Sequence, residues 1–396
     1  MVRTDPLSYL SEQLQTWREA GTYQRLRVLQ SACEPVAIFD GKEVINLASN
    51  NYLGLADHPK LVEAAIAAAK KYGAGSGAVR TISGTMDIHL ELEEKIAKFK
   101  KVEACVVFQS GFTANAGTVS AVLGPEDHII SDQLNHASII DGARLSRAKI
   151  HVFPHRDTAA AEKILQEIAD KPGRKVLITD GVFSMDGDIA PLPALVDIAE
   201  KHGAIMMVDD AHSSGVLGRN GRGTVDHFGL HGRVDIQVGT LSKAIGVLGG
   251  YVCGSRDLID FLYARARPFL FSTSHPPSVA ASCIAAFDIL ENEPERIDRL
   301  WENTRYFKSQ LTAAGFNTGE SETPITPIMV GEAKKAHEFS RALFDNGMLA
   351  TGIGYPTVPE GKARIRTIVT ATHTREMLDR ALEIVTRVGK KMGIVQ

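Results

Sequence analysis

Cysteine is scarce: Cys33, Cys105, Cys253 and Cys283 are the four in 396 residues, and they lie far apart. They form neither the paired spacing of a zinc site nor the density of a disulfide-stapled secreted domain, which fits a reducing compartment. An excess of either charge is missing too, with 44 Lys plus Arg against 47 Asp plus Glu and no basic tract, so no nucleic-acid partner is expected. No run of about 18 apolar residues is present to span a bilayer, so no membrane partner is expected either. The first residues, MVRTDPLSYLSEQLQTWREAG, are polar and unlike a signal peptide. The expected location is the cytoplasm. Several large enzyme classes lose their motifs as well: there is no Walker A loop, no G-x-S-x-G elbow and no H-E-x-x-H pair. His227 and His231 in HFGLH are spaced like metal ligands but have no third candidate nearby, so no metal is expected. GAGSGAVR, residues 73 to 80, has spaced glycines but follows a helical run instead of a strand, which makes it a poor dinucleotide fingerprint.

What is present is a chain that is 44% hydrophobic, ample for a sizeable core and for two structural units. The residues up to about 30 read as an amphipathic helix, and VAIFDGKEVINLA reads as a hairpin turning on its DG pair. Helical and strand patterns then alternate. Strands such as VLIT and IMMV are apolar on both faces, the mark of a sheet covered by helices on each side. An α/β core with a largely parallel sheet follows. After ENEPERIDRLWENTRYFKSQLTAAGF the pattern changes to a few strands, TPITPIMV and ARIRTIV, between two helices, consistent with a smaller α+β C-terminal domain. The expected division is an arm at 1–45, a large domain at 46–285 and a small domain at 286–396.

Four loops in the core place polar residues where apolar strands end, the place where open α/β sheets bind ligands. In IMMVDDAHSSGVLG, Asp209 follows a strand too apolar to be exposed and His212 comes three residues later. Asp209 is either a cap for the next turn or a buried anion held against a cationic ring nitrogen. SGFTANAG, residues 110 to 117, sets glycine and small polar residues at a helix N-terminus, where free N–H groups and the helix dipole favour a phosphate; an ordinary tight turn reads the same. SDQLNHASIIDG puts His136 directly before a helix, a place more often filled by a hydrogen-bonding residue than by a catalyst. In VGTLSKAIGVLGGYVCG a single charge, Lys243, lies between two stretches that look buried. Burial lowers a lysine's pKa towards the range of a usable nucleophile and base, and such chemistry means a Schiff base to a carbonyl. Thr240 and Ser242 can donate hydroxyl hydrogen bonds to a phosphate, and Gly246, Gly249 and Gly250 allow close approach of a ligand or a neighbouring backbone. Together the four loops provide what pyridoxal phosphate needs: a carboxylate for its ring nitrogen, a phosphate cradle, a histidine able to stack and a Schiff-base lysine.

SNNYLGLADHP, GAGSGAVRTISGT, NHASIIDGARLS, DGVFSMDGDIAPL, VDDAHSSGVLG, GTLSKAIG and ARIRTIVTATHT occur in this order over nearly the whole chain. In this the chain resembles the α-oxoamine synthases, fold-type I pyridoxal-phosphate enzymes that condense an amino acid with an acyl-CoA. The resemblance implies a mostly parallel seven-stranded sheet covered by helices. It also implies a homodimer with the site at the subunit interface. Within the family the motifs look most like glycine C-acetyltransferase, which joins glycine to acetyl-CoA in threonine catabolism. The nearest rival is 8-amino-7-oxononanoate synthase, which uses alanine and pimeloyl-CoA in biotin synthesis; a broad-specificity member is the other alternative.

Carried over by position, the resemblance makes Lys243 the carrier of pyridoxal 5'-phosphate as an aldimine and the base for the Cα proton. Asp209 would pair with the pyridinium nitrogen. His136 would stack on the ring and assist at the thioester carbonyl. His212 and Ser184 would lie near the phenolic oxygen, while Gly111, Phe112 and Thr240 would hold the phosphate. Thr273 and Ser274 in RPFLFSTSHPP match positions that reach the phosphate from the partner subunit. Arg366, the second arginine of RIRTIV, matches the residue that binds the amino-acid carboxylate, and Asn50 would line the same pocket. The chain departs from the acetyltransferase pattern where SGF replaces SCF, where DDAHSSG replaces DDSHAVG, and in GVLGGY after the lysine.

Overall fold

The computed structural model describes residues 5–23 and 25–396. Its main sheet is built from β1 (Ala104–Phe108), β2 (His128–Asp132), β3 (Lys149–Phe153), β4 (Lys175–Asp180), β5 (Ile205–Asp209), β6 (Ile236–Thr240) and β7 (Gly250–Gly254). They pair in the order β1-β7-β6-β5-β4-β2-β3. The run from β6 through to β3 is parallel, and β7 is antiparallel to both of its neighbours. Alternate residues of the central strands enter two different cores. Ile178 and Met207 pack with Ala114, Val119 and Ile139 on one face, while Leu177, Met206 and Val208 pack with Leu165, Leu195 and Val196 on the other. Both faces are dry, which is why the strands read as unbroken apolar runs. The expected helix-covered, mostly parallel seven-stranded sheet of fold type I is the architecture found.

Because β2, β4, β5 and β6 run the same way, their final residues Asp132, Asp180, Asp209 and Thr240 emerge along one edge of the sheet. Two helices start at that edge: α1 (Gly111–Val122), which follows β1, and α2 (Ala137–Ser146), which follows β2. The glycines around Lys243 serve neighbouring backbone. Gly246 has φ +79°, and a Cβ there would lie 2.7 Å from the Ala56 nitrogen; one on Gly250 would lie 2.4 Å from the Ser110 carbonyl oxygen.

The chain divides into two units, Asn50–Trp301 and the pair Met1–Ser49 with Glu302–Gln396. Both expected limits are displaced. The N-terminal segment is no separate arm, because Lys42–Asn46 pairs with Met348–Leu349 and the Ile368 amide donates to the Leu47 carbonyl at 2.8 Å. A limit at 285 would cut the helix Pro277–Asn292. The DG turn is present: Asp40 and Gly41 both have positive φ between the strands Val36–Phe39 and Lys42–Asn46. The first helix, Ser8–Glu19, stops earlier than expected, just before Gly21 at φ +70°. In the second unit β8 (Ile325–Gly331), β9 (Thr351–Ile353) and β10 (Ala363–Ile368) form an antiparallel sheet in the order β8-β10-β9. Among the described residues no helix is long and apolar enough to cross a membrane.

One buried ion pair ties the main unit together. Lys100, 1% exposed, donates to Asp210 Oδ2 at 2.7 Å and to the Arg222 carbonyl at 2.6 Å. Replacing Lys100 with Met strands Asp210 as a buried charge, so urea unfolding of Lys100→Met is expected to show a loss of about 3–5 kcal/mol. Lys60→Met, which removes an exposed pair with Glu293, is expected to lose less than about 1 kcal/mol. Equal losses would contradict this reading of the pair.

Candidate active site

Asp209, at the end of β5, is 4% exposed and carries two N–H donors: Ala211 N reaches Oδ1 at 2.8 Å and Asn115 Nδ2 reaches Oδ2 at 2.6 Å. Its register partner on β4 is Asp180, also buried. Burial first, and then repulsion from Asp209, push the Asp180 pKa well above the ordinary carboxylate range; Lys243 and the His136 amide, 3.1 Å from Oδ2, pull the other way. Asp209 thus accepts from two N–H donors and Asp180 from one. The next residue in sequence does different work. Asp210 pairs with Lys100 and accepts from the Thr224 amide at 3.1 Å, which starts the short helix Thr224–His227.

His136 stands at the N-cap of α2, its Nδ1 2.7 Å from Ser138 Oγ and 3.2 Å from the Ser138 amide. The residue is open to solvent on one side. The protein around the ring still strips away enough water to lower its pKa; the charge of Asp209 opposes this and that of Lys243 adds to it. His136, Asp209 and Lys243 are therefore near enough to feel one another's charge.

The cradle expected at SGFTANAG is present at the start of α1. Ser110 caps the helix by accepting from the Thr113 amide at 3.1 Å, while among the described residues the Gly111 and Phe112 amides donate to nothing. A Cβ on Gly111 would lie 3.4 Å from Thr240 Oγ1. That hydroxyl donates to the Gly249 carbonyl and lies 2.8 Å from Ser242 Oγ, which is at the surface. Two N–H groups at a helix start beside paired hydroxyls suit a phosphate. Lys243 is half-buried instead of fully buried: Leu241, Ala244 and Ile245 are the core residues of the loop, and the lysine projects from between them.

His212 is buried, with Nδ1 2.8 Å from the hydroxyl of the buried Tyr52. Ser184 and Asn50 are half-buried on loops of the same unit. Thr273 and Ser274 differ. Thr273 is exposed, whereas Ser274 is buried against its own chain, Oγ to Ser76 Oγ at 2.6 Å. Ser76 comes from GAGSGAVR, so that glycine-rich run supports this loop. Arg366 belongs to the other unit, where it is 9% exposed on the central strand β10. Arg364, two residues back along the strand, is buried as well and donates to the Lys362 carbonyl at 3.0 Å. His231, half of the apparent metal spacing, binds Asp226 Oδ1 at 2.8 Å.

Five residues near these groups were not read from sequence: Tyr52, Asn115, Ser138, Asp180 and His155. The last forms a clamp, with Nδ1 3.0 Å from Asp132 Oδ1 and Nε2 2.7 Å from Asp188 Oδ2. It joins the loop that carries His136 to the loop that carries Ser184. A signal for the acids was present in HIISD, KVLITD and IMMVD, three apolar strands that each end in aspartate.

A family model described as aminotransferase class I and II matches residues 42–385. The chain belongs to that family. Within it, the 8-amino-7-oxononanoate synthase of Symbiobacterium thermophilum is 62% identical over 98% of this chain and 99% of its own length. That of Thermoanaerobacter pseudethanolicus is 59% identical over 98% of each. A solved structure of SPT, serine palmitoyltransferase, holding pyridoxal phosphate as an internal aldimine, is 33% identical with a TM-score of 0.93 over 99% of this chain and 100% of that one. This aminotransferase-fold chain is thus an α-oxoamine synthase, a pyridoxal-phosphate-dependent acyltransferase that binds its cofactor covalently. The expectation of glycine C-acetyltransferase is corrected by the full-length relatives, which are 8-amino-7-oxononanoate synthases. The motifs behind that expectation are those on which the resemblance to the whole α-oxoamine synthase family rests, so they do not report the acyl partner.

The two carboxylates raise the His155 pKa to about 9, against the effect of burial, which is the largest single influence and acts downwards. A pKa raised on folding above an unfolded value of about 6.5 stabilises fully below that pH and ceases to do so as the pH rises through the folded value. The stability advantage of the wild type over His155→Gln, from urea unfolding, is therefore expected to be largest near pH 6 and gone by about pH 10. An advantage that does not change with pH would contradict a charged clamp.

Proposed function

We propose that the enzyme condenses alanine with pimeloyl-CoA, forming 8-amino-7-oxononanoate and releasing CoA and carbon dioxide. The observation that carries this reading is 62% identity to an 8-amino-7-oxononanoate synthase along essentially the full length of both chains. A CoA-dependent biosynthetic step also fits a cytoplasmic enzyme.

Bound pyridoxal phosphate supplies an electron sink for the pair left when a bond to the amino acid's Cα breaks. Lys243 would anchor the cofactor and would take the Cα proton of the amino acid. Asp209, whose two oxygens accept from Asn115 Nδ2 and Ala211 N, would face the ring nitrogen and favour its protonated form. The Gly111 and Phe112 amides would hold the phosphate, joined by the Thr240 hydroxyl once its hydrogen turns from the Gly249 carbonyl. His136 would lie against the ring, and Ser184 and His212, the latter held by Tyr52, would serve its phenolic oxygen. Arg366 would take the amino-acid carboxylate with its planar fork. We infer a homodimer in which the exposed Thr273 meets the partner's phosphate and Ser274, held by Ser76, fixes the loop that presents it.

Release of free CoA thiol from alanine, glycine and serine, each crossed with pimeloyl-, acetyl- and palmitoyl-CoA, tests the assignment. Alanine with pimeloyl-CoA is expected to be fastest, with one carbon dioxide per thiol; faster release from glycine with acetyl-CoA would overturn it. Borohydride reduction of the cofactor-loaded enzyme is expected to fix the label on Lys243 and to fix none in Lys243→Ala. A label on another lysine would refute the role given to Lys243.

A further inference from the structure

Between the carboxylate of Asp209 and the imidazole of His136 run two side chains with no role assigned so far. Asn115, 1% exposed on α1, uses its Nδ2 twice, towards Asp209 Oδ2 at 2.6 Å and towards Ser138 Oγ at 2.9 Å. Ser138, 1% exposed on α2, lies 2.7 Å from His136 Nδ1 through Oγ and 3.2 Å through its backbone amide. The direction of every bond can be worked out from the chemistry of the groups. An amide oxygen would repel the Asp209 carboxylate, so the nitrogen faces it, and its second hydrogen goes to Ser138 Oγ. Ser138 Oγ thus accepts from Asn115, which leaves its own hydrogen for His136 Nδ1. The Ser138 amide can only donate, so it too requires an unprotonated Nδ1.

We infer that Asn115 and Ser138 are positioning residues that couple Asp209 to His136 through one directed hydrogen-bond chain, fixing His136 as a neutral imidazole with its proton on Nε2. The chemical consequence is specific. Such a ring presents an N–H that can steady negative charge growing on a substrate oxygen, and it cannot serve as an imidazolium acid. Other groups act on the ring as well. Asp180 on β4 accepts from the His136 amide, Asp209 on β5 favours a charged ring, and Lys243, after β6, disfavours one. Asn115 and Ser138 therefore decide where the proton sits within a field whose signs conflict. One hydrogen of the Asn115 amide holds Asp209 Oδ2 in place and the other reaches Ser138 Oγ, which is how one residue reaches both sides of the site.

The catalytic meaning of this chain rests on the assignment of Asp209 and His136 to the cofactor ring, but the chain itself can be measured with or without cofactor. Histidine-selective 15N NMR, with His136→Gln to identify the signal, would follow tautomer and titration in the loaded and the cofactor-free enzyme. The wild type is expected to keep its proton on Nε2. Ser138→Ala removes a donor to the neutral ring, so the titration midpoint is expected to rise and the Nδ1–H tautomer to appear. Asn115→Ala, which does not touch His136, is expected to shift the same signal and also to weaken cofactor retention about tenfold, the effect of one lost charge-assisted hydrogen bond. The near-isosteric serine variant decides the matter if the asparagine variant unfolds. A wild-type proton on Nδ1, or a His136 signal unchanged in Ser138→Ala, would overturn the inference. Borohydride labelling away from Lys243 would instead overturn the cofactor assignment and leave the hydrogen-bond chain standing.

Discussion

Two aspartates, Asp180 and Asp209, end adjacent parallel strands as direct register partners, and both are buried. Like charges so placed cannot both persist without compensation. The surroundings resolve the conflict unequally: Asp209 is surrounded by donors, whereas the Asp180 pKa is driven upwards. The result is that Asp209 presents a donor-bound carboxylate at the mouth of the sheet, and much of the site follows from it. The charge asks for a cationic partner, and a protonated pyridine nitrogen meets that need. Asn115 faces it with an amide nitrogen, and His136 feels it across the opening.

The parallel sheet makes this possible by delivering several strand ends to one edge, and the helices α1 and α2 start there with caps made by Ser110 and His136. The loops between need a frame of their own. His155 bridges Asp132 and Asp188, and Lys100 locks Asp210, so the residues beside the reactive groups are held by ion pairs instead of by the substrate. In the run Asp209–Asp210, two neighbouring carboxylates therefore point to opposite tasks, one towards the site and one into the frame.

Much of this was legible. Two-sided apolar strands announced the covered sheet, the DG pair its hairpin, and Asp209 and Lys243 stood out as charges in apolar company. What escaped was polar partnership across helices. Asn115 in SGFTANAG looks like any small polar residue near a helix start, and only the fold sets it against Asp209, 94 positions later. Ser274 was read as facing a partner, and its contact with Ser76, 2.6 Å away, could not be read from the sequence. Lys243 read as buried because its neighbours are, but it projects from between them. The acyl partner was out of reach for a different reason: the motifs that carried the resemblance are shared by enzymes with different acyl-CoA substrates.

The central claim is that the Asp209 charge is held for a protonated ring nitrogen. Its most direct test is the affinity of the cofactor-free enzyme for pyridoxal phosphate and for the analogue in which the ring nitrogen is replaced by CH. The wild type is expected to prefer pyridoxal phosphate by about tenfold or more, as one charge-assisted hydrogen bond implies, and Asp209→Ala is expected to lose the preference. Equal binding of the two molecules by the wild type would contradict the account.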